Sequence, residues 1–380
     1  MREIYFLFLF YVFACHGLGL AKDDCDDLEA GVMVSGYNRN LSFYGVINDS
    51  LRLCQSVRVD LNISWLVPVD MFYGIHEVGE FQGVRGGAVG RFDVTDFGYQ
   101  RLEWVSVGAG KIYNLNSLWK YFIALKNSGP AHLLISDEHS MAYVASYGGG
   151  SWSAIPLEGP EQKLSPNEQR FVFGPGCRNN TSHPHETVVQ GSHVWVVDLG
   201  CDAIYHYNKT EKGLDRLETA KVGAGRGPRH MLVIPERNVA LVVCELENFL
   251  QVHSLNNKTG QLTLKRELSL VSVENNAGAE ILLHHNRKWV YVSSRGVGTV
   301  VVFRLLDNDQ VVEKVQEFRL TGTWPRHMAI YQGDYYKNKW LVVADQKGNH
   351  LELLTVNSTD GTLTAGQIVP TAPGPSWVIY

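Results

Sequence analysis

Short apolar runs recur along the chain, each ending on a polar or aromatic residue. They are GVMVSGY at Tyr37, MFYGIHE at Glu77, MAYVASY at Tyr147, HVWVVD at Asp198, VALVVCE at Glu245, WVYVSSR at Arg295 and WLVVADQ at Gln346. The last five ends are separated by 51, 47, 50 and 51 residues. Runs this short and this rich in Val, Tyr and Trp predict strands, and a steady period near fifty residues predicts a repeat. A second series consists of residue pairs: Ser64-Trp65, Ala131-His132, His185-Glu186, Arg229-His230, Ala279-Glu280, Arg326-His327 and Ser376-Trp377. Most of these pairs open a further apolar stretch, as in HMLVIP and HMAIY. Polar turns near Asn208, Asn257, Asp307 and Asn357 form a third series. Each unit therefore reads as four short strands, a to d, joined by turns. Helical patterning is scarce; LNSLWKYFIAL, around Ser117–Leu125, is the best candidate and lies in the longest spacer.

Seven such units predict an all-β fold, a seven-bladed β-propeller of four-stranded antiparallel blades. The repeat begins on a b-type strand and stops after an a-type strand, PSWVIY, so the C-terminal strand is expected to close the ring. In such a meander strand a leaves one rim and strand b returns to it. His185, Arg229 and Arg326 precede a strands, and Asp198, Glu245 and Arg295 end b strands, so all six are expected around one mouth of the central channel. Asn208, Asn257 and Asn357 fall on the opposite rim, leaving the first face free. The second members of the pairs run Trp, His, Glu, His, Glu, His, Trp. This restricted set suits hydrogen bonding between blades, and that is the reading for His132, His230, Glu280 and His327. The first members vary as Ser, Ala, His, Arg, Ala, Arg, Ser, and such variation is where chemistry is to be sought.

Composition agrees with one large packed body. Of 380 residues, 45% are apolar and 19% charged, and 37 Gly against 13 Pro fits many tight turns. A net charge of −5 argues against a broad nucleic-acid-binding surface but leaves room for a local anion pocket. Arg2 and the apolar run from Ile4 to Ala14 suit a secretory signal, too short to span a bilayer, with cleavage just before Lys22. Residues 1–21 are thus expected to be a signal peptide and 22–380 one propeller. No later segment is long and apolar enough to span a membrane. Sequons at Asn40, Asn48, Asn62, Asn179, Asn180, Asn208, Asn257 and Asn357 point to a secreted glycoprotein. After Cys15 leaves with the signal, Cys25, Cys54, Cys177, Cys201 and Cys244 remain. An odd number leaves a thiol over unless it bridges to another chain, and Cys244, inside ALVVCEL, reads as a buried free cysteine. Cys177 and Cys201 flank neighbouring loops of one unit and are expected to pair, with Cys25–Cys54 as the companion bridge.

The motifs GPAHL, SHPHE, GPRHM, CELEN, GAEI, SSRG and WPRHM, with YGGGS at Tyr147–Ser151, resemble the seven-bladed lactonase family. That family includes bacterial 6-phosphogluconolactonases and fungal 3-carboxy-cis,cis-muconate lactonizing enzymes (carboxymuconate cyclases). The resemblance runs from about Gly31 to Tyr380 and is most specific where GPRHM is followed by CELEN. In the muconate-lactonizing members a His, two Arg and a Glu are proposed to form the site; these match His185, Arg229, Arg295 and Glu245. CEL stands where NEL is usual and SSRG where SNRG is usual, which leaves the substrate open.

Residue type then assigns roles. Arg229, Arg295 and Arg326 suit a carboxylate substrate, held by permanently charged guanidiniums. His185 and Glu245 are expected to divide proton donation and abstraction, both titrating near working pH. The scheme calls on no metal and no cofactor, and the expected partner is a small carboxylate or lactone. Two classes follow: a secreted lactonase or cycloisomerase, and a secreted propeller that binds an anionic ligand or protein without turnover. The signal peptide weighs against a 6-phosphogluconolactonase role, and GGGSW lacks the spacing of a serine-esterase elbow.

Overall fold

A computed structural model describes residues 30–38, 40–47, 50–58, 63–68, 72–76, 80–81, 84–85, 88–95, 98–106 and 129–379, the last with gaps at 161, 166, 175–176, 274, 308–310 and 332–339. Seven antiparallel sheets succeed one another along these residues, six of four strands and one of five. Blade 5 shows the plan: strand a is Pro228–Ile234, b Val239–Cys244, c Phe249–Leu255 and d Leu262–Ser269. The a strands of blades 2 to 7 are Ile63–Pro68, Pro130–Ser136, Pro184–Gln190, Pro228–Ile234, Ala277–Leu283 and Pro325–Ile330. Each touches the next. Pro375–Ile379 follows blade 7, touches the a strand of blade 2 and pairs with strand b of blade 1, Ala30–Gly36. The C-terminal strand closes the ring as the repeat register requires.

Two departures from the four-strand plan explain uneven spacing. Blade 2 carries an extra hairpin, Glu80–Phe81 with Val84–Arg85, between its b and c strands. Blade 3 splits its outer strand into Lys163–Leu164 and Gln169–Val172, both paired with Ser151–Glu158. The helical candidate at 117–125 lies outside the described residues.

Burial follows position within the blade. Strand b of blade 5, VALVVC, is buried at every residue, as a strand packed on both faces must be. The outer strand of blade 6, Val312–Arg319, alternates buried or half-buried with exposed residues. The core is therefore a set of apolar layers between adjacent blades. Leu241, Val243 and Val252 of blade 5 pack with Val290, Val292 and Val301 of blade 6, and each fully buried aliphatic side chain contributes about 1.5–3 kcal/mol. Polar ties cross the same layers. Trp195 Nε1 donates to the Gly260 carbonyl at 3.0 Å and Tyr291 Oη to that of Gly361 at 3.1 Å. Both glycines close c–d turns at positive φ, 73° and 75°, where a Cβ would strike His206 or Trp289.

One feature was invisible in the apolar pattern. Every a strand carries a β-bulge at the residue pair that opens it. In blade 5, Pro228 faces Cys244 and His230 faces Val243, so Arg229 has no partner across the ladder. The same count leaves out His185 between Pro184 and Glu186, and Arg326 between Pro325 and His327. A bulge re-aims its extra side chain away from the pleat. The first members of the pairs are thus the bulged residues, and this frees them from sheet packing.

The second members tie each blade to the next. His132 Nδ1 accepts from the Thr187 amide at 3.4 Å, Glu186 Oε2 from the Met231 amide at 2.5 Å, and His327 Nδ1 from the Val378 amide at 3.3 Å. The scaffold role expected for His132 and His327 holds, and Glu186 shares it.

Cys177 and Cys201 form a disulfide, and Cys244 is a buried free thiol. Cys54 is also disulfide-bonded, while Cys25 lies outside the described residues. Asn257 and Asn357 lie in c–d turns as expected, and Asn208 sits in strand c opposite His193, near the same rim. Asn40, however, opens strand c of blade 1, and Asn179 and Asn180 form a 3-10 turn ahead of strand a of blade 4. These three fall on the mouth rim, so sequons are not confined to the far face. Asn48 and Asn62 lie outside the described residues. Among the described residues no helix is long and apolar enough to cross a membrane.

Candidate active site

The site is built from positions that the bulges and the b-strand ends bring to one rim. Arg229 is the bulged residue of blade 5, and Glu245 directly follows strand b of the same blade. The Glu245 amide donates to the Gly227 carbonyl at 2.7 Å, which fixes the carboxylate at the rim. Arg295 ends strand b of blade 6, Trp289–Arg295. These three form one ion-pair core: Glu245 Oε2 lies 3.1 Å from Arg229 Nε and 2.8 Å from Arg295 Nη2. Arg229 is only 2% exposed and Arg295 only 5%. Backbone oxygens complete both guanidiniums, with Arg229 Nη1 donating to Ala279 at 2.8 Å and Arg295 Nη2 to Gly278 at 3.0 Å.

Charge settles the protonation of this core. Burial raises the Glu245 pKa, but Arg295 and Arg229 outweigh it and hold the carboxyl below its usual 4.5. Burial, with Arg295 beside it, brings Arg229 down to about 10, so it still carries its proton at neutral pH. Arg326, the bulged residue of blade 7, is half-buried with its guanidinium carbon 5.5 Å from the centre of the Tyr37 ring. Its charge reaches Arg229, Glu245 and His185. Three guanidiniums therefore act on one carboxylate, two of them in direct contact with it. That leaves an excess of positive charge where the protein as a whole is mildly acidic.

His185, the bulged residue of blade 4, stands beside this core rather than within its ion pairs. Its ring is 5.1 Å from His230 and 5.8 Å from Tyr147, whose edge it meets. It is 5% exposed, and its Nδ1 is buried without a protein hydrogen-bond partner. Burial, then Arg229, His230, Arg326 and Arg295, push its pKa well below 6.5. The expectation that His185 and Glu245 titrate together near working pH is corrected here. At neutral pH His185 is a neutral imidazole and Glu245 an anion.

Other b-strand ends do different work. Asp198 is fully buried and accepts from Ser182 Oγ at 2.5 Å, the His183 amide at 2.9 Å and the Cys201 amide at 3.0 Å. Asp345 repeats this role, accepting from the amides of Trp324 at 2.7 Å and Gly348 at 2.5 Å. Both aspartates pin loops and take no place in the ion-pair core. With Cys177–Cys201, Asp198 fixes His183, whose ring stacks on Tyr147 at 4.5 Å. Tyr147 was named in the sequence only as a run end and motif start, and Trp324 and Lys347 were not singled out. Tyr147 follows strand b of blade 3, the register that gives Glu245 in blade 5, so its position was a usable signal. Trp324 meets two cations, with Lys347 Nζ 3.0 Å and the Arg295 guanidinium carbon 5.5 Å from its ring centre. Among the described residues no three His, Cys, Asp or Glu side chains are grouped to hold a metal ion.

Comparison with known proteins places this geometry. Two curated 6-phosphogluconolactonases are similar in sequence. That of Bacillus subtilis is 25% identical over 261 residues, 66% of this chain and 73% of its own length. That of Blochmanniella pennsylvanica is 27% identical over 259 residues, 66% and 74% of the two chains. Among solved structures, the periplasmic gluconolactonase of Pseudomonas aeruginosa superposes with a TM-score of 0.77 at 18% identity, covering 92% of this chain and 98% of that one. Residues 116–380 match the family model described as lactonase, 7-bladed beta-propeller. With seven sheets closed into a ring and that match over most of its length, the chain belongs to the seven-bladed β-propeller lactonase family.

Proposed function

We propose that the protein opens the ring of an anionic lactone at the Arg-lined mouth, with water as nucleophile. The observation that carries this reading is the pairing of Arg229 and Arg295 with the ionised Glu245, with the charge of Arg326 reaching the same carboxylate, beside a neutral His185 with a partnerless Nδ1. Glu245 takes a proton from water as its oxygen attacks the lactone carbonyl carbon. The guanidiniums bind the substrate's anionic group and stabilise the negative charge that builds on the carbonyl oxygen. The ring C–O bond breaks, the proton passes to the leaving oxygen, and a hydroxy acid results. His185 hydrogen-bonds the water or the leaving oxygen. The names of the two similar bacterial enzymes put a phosphorylated sugar lactone among the candidates of this class, while the signal-like run after Arg2 weighs towards a carboxylate-bearing lactone instead.

The same groups serve the reverse, cyclising direction, as in carboxymuconate cyclases. That direction needs a proton delivered to carbon, and the pKa directions at Glu245 and His185 favour bases over acids. Export is part of the proposal. The apolar run after Arg2, the sequons and the Cys177–Cys201 disulfide all suit an oxidising compartment.

A turnover screen tests the reading. The purified protein is offered 6-phosphogluconolactone, gluconolactone, a carboxymuconolactone and 3-carboxy-cis,cis-muconate. We expect ring opening of an anionic lactone with kcat/KM at least tenfold above that of its neutral counterpart. Cyclisation of the muconate without lactone opening would select the alternative direction. Binding of the anions with no turnover of any would select the non-catalytic propeller.

A further inference from the structure

We propose that Glu280 and His230 are positioning residues for Arg229, with Glu280 holding His230 in the one tautomer that can accept from the guanidinium. The inference rests on the reading of Arg229 as an anion-binding group. His230 is fully buried and follows Arg229 in the bulge of blade 5, while Glu280 occupies the matching bulge of blade 6. Arg229 Nη1 is 3.1 Å from His230 Nε2. A guanidinium has only donors, so Nε2 must offer its lone pair. The ring proton then sits on Nδ1, which is 2.8 Å from Glu280 Oε1. Glu280 Oε1 is itself fixed by the Ile281 amide at 3.0 Å, and the Glu280 amide is fixed by Ser293 Oγ at 3.0 Å. Beyond Glu280, His327 Nε2 lies 3.3 Å from Oε2, and His327 Nδ1 accepts from the Val378 amide. The chain of contacts thus runs from the closing strand through blades 7 and 6 into the Arg229 side chain.

Glu186 lies nearby, with Oε1 4.0 Å from His230 Nδ1. Burial, then the neighbouring Glu280, push its pKa well above 4.5, and burial raises that of Glu280 as well. Burial and the charges of Arg229 and Arg326 keep His230 neutral. A neutral histidine has two tautomers. Only the Nδ1–H form satisfies Arg229 and Glu280 together; the other puts two donors face to face at the guanidinium.

Two measurements test this. The first is the His230 tautomer in the wild-type protein, read from imidazole 15N shifts and assigned with His230→Gln. Nδ1–H is expected, and Nε2–H would overturn the proposal without reference to activity. The second is the binding of 6-phosphogluconate by calorimetry to Glu280→Ala, Glu280→Gln, Arg229→Ala and the Arg229→Ala/Glu280→Ala double variant. Glu280→Ala should bind about tenfold more weakly, roughly 1.4 kcal/mol. Glu280→Gln, which keeps an acceptor oxygen for Nδ1–H, should restore most of that affinity. The double variant should bind no worse than Arg229→Ala alone, because a positioning residue has nothing left to position. Wild-type affinity in Glu280→Ala, additive losses in the double variant, or no rescue by Gln would each overturn the proposal. Unchanged binding by Arg229→Ala itself would instead sink the anion-site reading beneath it.

Discussion

Glu245→Gln is expected to lower kcat for an anionic lactone by about 10²–10⁴ while leaving KM unchanged or reduced. The asymmetry follows from the ion-pair core. Glutamine keeps an oxygen for Arg229 and Arg295, so both guanidiniums stay where Glu245 now holds them. It cannot take a proton from water, so the base is lost. It also removes the negative charge paired directly with Arg229 and Arg295, and an incoming anion then meets stronger attraction. Steady-state kinetics with matched anionic and neutral lactones separates the two effects. A substitution that merely loosened the fold would raise KM and lower kcat together. Wild-type kcat in Glu245→Gln would remove Glu245 from the chemistry.

Acid is expected to unfold the protein over an unusually high pH range. His132, His185 and His230 have pKa values driven well below 6.5, and His327 is driven to about 3, in each case first by burial. The unfolded chain takes up protons on these residues as pH falls through about 6.5, and the folded chain refuses them. Folding free energy is therefore lost from pH 6.5 downward. Glu186 and Glu280 act in the opposite sense. Burial raises both, so their contribution is full below about 4.5 and fades as pH rises through their folded values. Among the described residues seven histidines are pushed down, with His206, His253 and His284 added to these four, against four carboxyls pushed up, with Glu168 and Asp198 added to these two. Each net proton is worth about 1.4 kcal/mol per pH unit between pH 6.5 and 4.5. For a protein of ordinary stability, about 5–15 kcal/mol, such a slope leaves little at pH 4.5. Urea unfolding at pH 7.5, 6.5, 5.5 and 4.5 measures it, and a flat profile would contradict the neutral-histidine assignment.

The ring was legible because a propeller repeats its burial pattern blade by blade. Val, Tyr and Trp clusters ending at Asp198, Glu245 and Arg295 fix the period, and the unmatched strand types at the two ends require closure. The pairs opening each a strand were legible as a series, and the division between variable first members and scaffold second members follows the bulges. The bulge itself left no trace in the apolar alternation, because it adds one residue at the very start of a short strand. Nor did sequence reveal protonation. His185 and Glu245 look alike as titrating groups until Arg229, Arg295 and Arg326, drawn from three blades, act on both. Tyr147 and Trp324 were passed over for a related reason. An aromatic at a strand end reads as packing until a charged neighbour from another blade is seen against it.

The mouth formed by blades 4 to 7 is proposed as the place where the anion of the lactone binds. A crystal structure of the protein soaked with 6-phosphogluconate tests it most directly. An anionic group of the product within hydrogen-bond distance of Arg229 and Arg295, with Glu245 and His185 facing the carboxylate made by ring opening, is the predicted result. Product bound at the opposite rim, or an unoccupied mouth in a preparation that turns over the lactone, would contradict it.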